Sequence, residues 1–266
     1  MPITDQKLVI SGNIVEHDSY RISTFYGTTN RKKSKGHKTG LSTSRENELK
    51  SAYRAKSTVR HLVNANASRW YKPDGSPCLP IFITLTFEAD VRDLAVANEM
   101  FTSFIQRLNY YIEGVKKNIL RYLVVPEFQD ENRGGVIHYH VLFFNLPYIV
   151  MVYDEMRKIW SKGNINVKSV RRVKDLGKYL TKYMVKSMHD GRLKGRKKYF
   201  TSKSLFKPHV YRDPAVVGLI ITSLPKNAAI STFSWENEYR GTITRTIYNL
   251  NESPEALDKF RGLVVD

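Results

Sequence analysis

The chain has 266 residues, 43 of them Lys or Arg and 25 Asp or Glu, for a formal charge of +18 at neutral pH. That imbalance points to a polyanionic partner, with nucleic acid first among them, and 41% hydrophobic residues suffice for a sizeable core. A single cysteine, Cys78, excludes an intrachain disulfide, and no apolar run approaches the roughly 20 residues a membrane-spanning helix needs, so no membrane role and a cytoplasmic location are expected.

Taken in chain order, residues 1–43 read as a loosely structured basic arm ending in "GTTNRKKSKGHKTG". From Ser44, a plausible N-cap, apolar residues recur at helical intervals to about Ala67, which predicts a helix with a basic face of Arg54, Lys56 and Arg60. The turn chemistry of "KPDGSP" closes this second segment, residues 44–80. A core over 81–190 then opens with a strand, Ile81 to Phe87, and an amphipathic helix from about Val91 to Gly114. Two strands joined by the polar "QDENRGG" turn follow, the first in "NILRYLVVPEF", the second in "GGVIHYHVLFFNLP". A short helix around Tyr153 to Lys162, a strand "NINVKSV" and a helix from about Lys174 to Ser187 complete a β-α-β-β-α-β order. This is an α+β pattern, a ferredoxin-like or RNA-recognition-like antiparallel sheet with helices on one face and the other face left for a site. Residues 191–266 are expected to pack on the core as an extension, with a late hairpin in "STFSWEN" and "YRGTITRTIYNL" and a frayed or helical tail from Glu252.

Residues two apart on a strand share a face, so His138 and His140 point one way and can reach one ion. Glu127, across the short turn, can supply an oxygen from the same side. Two imidazoles and a carboxylate suit Mn²⁺ or Mg²⁺ acting on a phosphate, although the same ligand types also admit Zn²⁺ or Fe²⁺. Pro126, beside Glu127, implies an edge strand or a bulge there.

In "GKYLTKYMVKS", Tyr179 and Tyr183 are four residues apart and so are Lys178, Lys182 and Lys186, so each set lines one helical face. A tyrosine hydroxyl is a weak nucleophile near neutrality, and an adjacent ammonium and a polarised phosphate help it attack. From Lys168 to Lys207 there are 14 Lys or Arg and only Asp175 and Asp190 as acids, so phosphate contacts are expected from Lys178 and from Arg196, Lys197 and Lys198.

The combination of "HYH" at 138–140, a tyrosine and a lysine three apart twice over on a later helix, and an earlier "ITLTF" strand resembles the HUH endonucleases. Within that superfamily it is most similar to the rolling-circle replication initiators of bacterial plasmids and single-stranded DNA phages. The resemblance implies metal ligation by His138, His140 and Glu127, with Tyr179 or Tyr183 attacking the scissile phosphate. It further implies a 5′-phosphotyrosine intermediate and a free 3′-OH, nicking and rejoining of single-stranded DNA at an origin that can include hairpin DNA, and unwinding by a host helicase. A transposase or relaxase of the same superfamily is the nearest alternative; a noncatalytic RNA- or DNA-binding sheet stacking bases on Phe82, Tyr139 and Phe143 is the alternative from another class.

Overall fold

The computed structural model describes residues 4–21, 44–146, 153–170, 175–237 and 241–252. In chain order the elements are β1 (Thr4–Ser11), β2 (Ile14–Arg21), α1 (Ser44–Asn66), β3 (Ile81–Thr86), α2 (Leu94–Glu113), β4 (Tyr122–Gln129), α3 (Asp130–Arg133), β5 (Val136–Phe143), α4 (Tyr153–Trp160), β6 (Ile165–Ser169), α5 (Leu176–Met188), β7 (Phe200–Thr201), β8 (His209–Tyr211), α6 (Pro214–Ser223), β9 (Ala229–Asn237) and β10 (Gly241–Asn249). They form two units, Ser44–Phe206 and a second made from both ends of the chain, Met1–Thr43 with Lys207–Asp266.

The larger unit is the expected α+β core, an antiparallel sheet in the order β6-β3-β5-β4-β7. Alternation along its strands decides which residues meet which helices. Ile83, Leu85, Ile137, Tyr139, Val141 and Val124 point to one face, where Phe101 and Phe104 of α2 and Met156 and Trp160 of α4 bury them. Helix α2 forms because its buried residues recur every three or four positions, because Asp93 caps its first turn by accepting from the Ala95 amide, and because Gly114 ends it in a left-handed conformation. Polar atoms inside this layer are satisfied: the Tyr139 hydroxyl donates to Asn98 at 2.7 Å and the Trp160 indole to the Thr86 carbonyl at 3.1 Å.

The opposite face is half-covered as well. Phe82, Leu123, Val125 and Leu142 pack against Val59 and Val63 of α1 and Leu176 and Leu180 of α5, so helices lie on both sides of the sheet, and His138 and His140 share the face of this second cluster without belonging to it. Helices α1 and α5 approach closely at Gly177, where a Cβ would fall 2.4 Å from the Arg60 carbonyl oxygen. Between β4 and β5 the polar turn is made by the single turn α3 followed by Gly134 and Gly135, both at positive φ, 55° and 84°. Pro126 fits the sheet because β7 pairs with β4 only at Leu123 and Val124, which leaves the proline on a stretch with no outer partner and in unbroken register with β5. Its edge position is as expected, without a bulge.

The smaller unit corrects two expectations. Residues 4–21 form a hairpin, not a loose arm, while residues 22–43 lie outside those described. The hairpin is the centre of a sheet ordered β8-β1-β2-β10-β9, so the late hairpin, which forms as expected, pairs with the chain's beginning and belongs to this unit, whereas residues 191–206 belong to the core. The cause is local and long-range at once. Gly12 (φ 58°) and Asn13 make a two-residue turn, and Leu8, Ile10 and Val15 are buried in a cluster with residues from the far end of the chain, among them Val217 and Ile220 of α6, Leu224 just after it, and Leu250. On the other face Arg245 grips Asp18 through two bonds of 2.5 and 2.7 Å, which explains charged residues in the middle of β2. The tail from Ser253 lies outside the described residues. No described helix is long and apolar enough to cross a membrane.

Candidate active site on the histidine face

The register of β4 and β5 brings the expected ligands together. Glu127 is the direct cross-strand partner of His138, and in β3 Thr86 pairs with His138 and Thr84 with His140, so all five side chains emerge from one face. His140 is held on three sides: its Nε2 donates to the Glu127 carboxylate at 2.6 Å, its Nδ1 faces the Thr84 hydroxyl at 3.2 Å, and its ring stacks on Phe82 at 5.7 Å. His138 differs, since its Nε2 is buried without a hydrogen-bond partner. Burial pushes its pKa below the ordinary histidine value, partly opposed by Glu127 and reinforced by His140 and Arg133, so the ring is neutral and its lone pair available. As folded, Glu127 and His140 are closed on one another, and among the described residues no group of three or more His, Cys, Asp or Glu side chains stands at ion-holding spacing.

Helix α5 lies over the same face. Leu176 and Leu180 anchor it to the sheet, and Tyr179, half-buried, packs against that cluster. Tyr183, Lys182 and Lys186 follow on the same helix; their side chains lie outside those described. The start of α5 is fixed by Asp175, which accepts from the Lys178 amide at 2.8 Å, from Asn64 at 3.0 Å and from Arg60 at 3.0 Å. Beyond its end, Arg192 donates twice to Asp130 at 2.8 Å, bonds Asp190 at 2.6 and 2.9 Å, and lies 4.2 Å over the Phe128 ring. That guanidinium ties the segment after the tyrosine helix to the turn that follows Glu127.

The expected phosphate contacts divide. Arg54, Lys178, Arg196 and Lys197 are exposed and Lys56 is half-buried. Arg60 and Lys198 are corrections. Arg60 is committed to Asp175 between α1 and α5, and Lys198 is buried, its ammonium pKa pushed down by desolvation against the pull of Glu48 and Asp190. Tyr139 and Phe143 are fully buried and Phe82 nearly so, so none of the three is a platform for bases. Sequence reading missed Thr84, Asp175, Asn64 and Arg192. Thr84 was within reach, since it is the in-facing polar residue of "ITLTF"; the others carry no local signal.

Residues 80–188 match the family described as replication-associated protein ORF2/G2P. The resemblance to replication initiators holds at the level of the family. The match covers less than half of the chain and runs from the start of β3 through the tyrosine helix, the stretch in which the histidine hairpin and α5 lie together. No curated protein and no solved structure matches the chain significantly.

Proposed function

We propose that this protein is a site-specific, metal-dependent nickase and ligase of single-stranded DNA that initiates rolling-circle replication through a 5′-phosphotyrosine. The observation that carries this reading is the buried, unpartnered Nε2 of His138 beside the Glu127–His140 pair, under the tyrosine helix of a replication-associated segment. Two imidazole nitrogens and a carboxylate oxygen form a donor set that fits Mn²⁺ or Mg²⁺ with positions left open. His140 suits either state: with a cation on its Nε2 the neutral ring would be the tautomer that carries its one proton on Nδ1 and donates it to Thr84, whose hydroxyl can donate or accept. A bound cation supplies charge withdrawal from a nonbridging phosphate oxygen.

The chain's own residues do the rest. The hydroxyl oxygen of Tyr179 or Tyr183 attacks phosphorus and gives up its proton, the bond from phosphorus to the 3′ oxygen breaks, and that oxygen leaves as the 3′-OH. Lys182 and Lys186 place ammonium charge on the same helix, where it offsets the charge on the phosphoryl oxygens. Bond made and bond broken are both phosphodiesters, so rejoining needs no nucleotide. Unwinding of the duplex falls to a host helicase.

The test is to incubate the full chain with single-stranded oligonucleotides from its origin and Mn²⁺ and to resolve the products on a denaturing gel. A covalent adduct is expected, absent with EDTA and with His138→Ala or His140→Ala, while circular dichroism shows the fold retained. Tyr179→Phe and Tyr183→Phe singly retain some adduct and together form none. Full cleavage in EDTA overturns the metal role, and adduct persisting in the double variant overturns the nucleophile.

A further inference from the structure

The last turn of α2 and the chain that follows it enclose a cleft of about 900 Å³. Tyr110 and Tyr111 line it and are 57% and 48% exposed, two large rings left to solvent on one helix end. Arg107, Lys116 and Lys117 line it too, and none of its lining residues is acidic; Glu113, on the same turn, is exposed next to it. The walls are fixed from inside. Asn109, 3% exposed, donates to the Ile105 carbonyl and accepts from the Ile119 and Leu120 amides, which pins the returning chain to α2. Arg107 donates to the carbonyls of Ile159 and Trp160 and so pins the end of α4.

Exposed rings interleaved with cations on a rigid wall are the chemistry of an unpaired polynucleotide: stacking accepts any base, and cations follow the backbone. A duplex offers no free base face to such rings. The carboxyl end of α2 carries partial negative charge, so phosphates belong beside Lys116 and Lys117 and the bases over the tyrosines nearer the helix. Helix α2 packs on the sheet face opposite the histidines, so the cleft lies apart from them.

We propose that this cleft is a second binding site for single-stranded DNA, in which Tyr110 and Tyr111 stack unpaired bases and Lys116 and Lys117 hold the flanking phosphates. It goes beyond the cleavage reading and does not depend on it, because binding here is read without any covalent adduct. The experiment is photocrosslinking of the full chain to oligodeoxythymidylate carrying 5-iodouracil, with peptide mapping, alongside fluorescence anisotropy of the same oligonucleotide. Expected are crosslinks at Tyr110 or Tyr111 and a loss of affinity of about tenfold or more in Tyr110→Ala/Tyr111→Ala. Binding is recovered in Tyr110→Phe/Tyr111→Phe, which keep the rings, and weakened in Lys116→Glu/Lys117→Glu, with adduct formation on a short origin oligonucleotide unchanged throughout. Crosslinks found only elsewhere, or an affinity within twofold of the parent in the alanine variant, overturn the proposal.

Discussion

Two histidines of this chain illustrate how burial sets protonation. His17 in β2 is half-buried, with Nε2 3.1 Å from the Gln6 amide oxygen, and desolvation lowers its pKa against the opposing pull of Asp18. Above the ordinary histidine value, about 6.5, the ring is neutral whether the chain is folded or not, and pH has no purchase through it. As pH falls through that value the unfolded chain takes up the proton first, so stability declines until the folded-state pKa is passed and then levels off. The prediction is that urea midpoints fall as pH drops below about 6.5, and that His17→Gln removes part of that slope. An unchanged slope would mean that other groups carry it. His138 is neutral for the same physical reason, yet its consequence differs, because it shares a sheet face with the Glu127 carboxylate directly across the strand pair and with the His140 imidazole two residues along its own strand.

At the scale of elements, the decisive object is the pair α1 and α5. The first carries apolar residues at helical spacing, Ala52, Val59 and Val63, and the second lays Leu176 and Leu180 into the same cluster; Asp175, Asn64 and Arg60 join them by hydrogen bonds. Gly177 permits the approach. Gly177→Ala is predicted to destabilise the core by on the order of 1–3 kcal/mol, the usual range for overpacking, since the added carbon meets a backbone oxygen at 2.4 Å and the Asn64 side chain at 2.8 Å. Thermal and urea denaturation measure it; a neutral result would mean that α5 shifts without cost. The elements of the core were legible in the sequence because each has its own period: β3, α2, β5, β6 and α5 lie where alternation or a three-to-four spacing places them. The hairpin β1–β2 was not read, although Gly12–Asn13 between two short runs was there to be seen, because its strands mix Glu16, His17 and Asp18 with apolar residues and only Arg245, far along the chain, makes that mixture sensible.

For the whole molecule, the excess of 18 positive charges is distributed and partly internal. Arg60 is paired, Arg192 is held by two carboxylates and Arg245 by Asp18 and Glu16, so net charge overstates the cations free to meet phosphate. Arg54, Lys178, Arg196 and Lys197 remain exposed. Affinity for single strands is predicted to fall with salt by a log–log slope of about 0.7 per phosphate contact, and replacing any of these four by Gln lowers the slope by about that amount. Arg60→Gln instead lowers stability through the helix pair. Anisotropy titrations across a salt series separate the two, and a binding constant indifferent to salt would sink the electrostatic account.

What the sequence determined by itself was what depends on neighbours along the chain: the periods of the core elements, the shared face of His138 and His140, the spacing of the tyrosines and lysines, and the polyanionic partner implied by charge. Only the tertiary structure decided that Glu127 stands directly opposite His138, that Thr84 supports His140 from a third strand, and that Arg192 ties the segment after the tyrosine helix to the turn that follows Glu127. It alone joined the two ends of the chain into one sheet and took Arg60 and Lys198 out of solvent. The reason is the same in each case. Cross-strand register and burial are set by partners that meet only in the folded chain, and a side chain's charge or lone pair has no role until its neighbours are present.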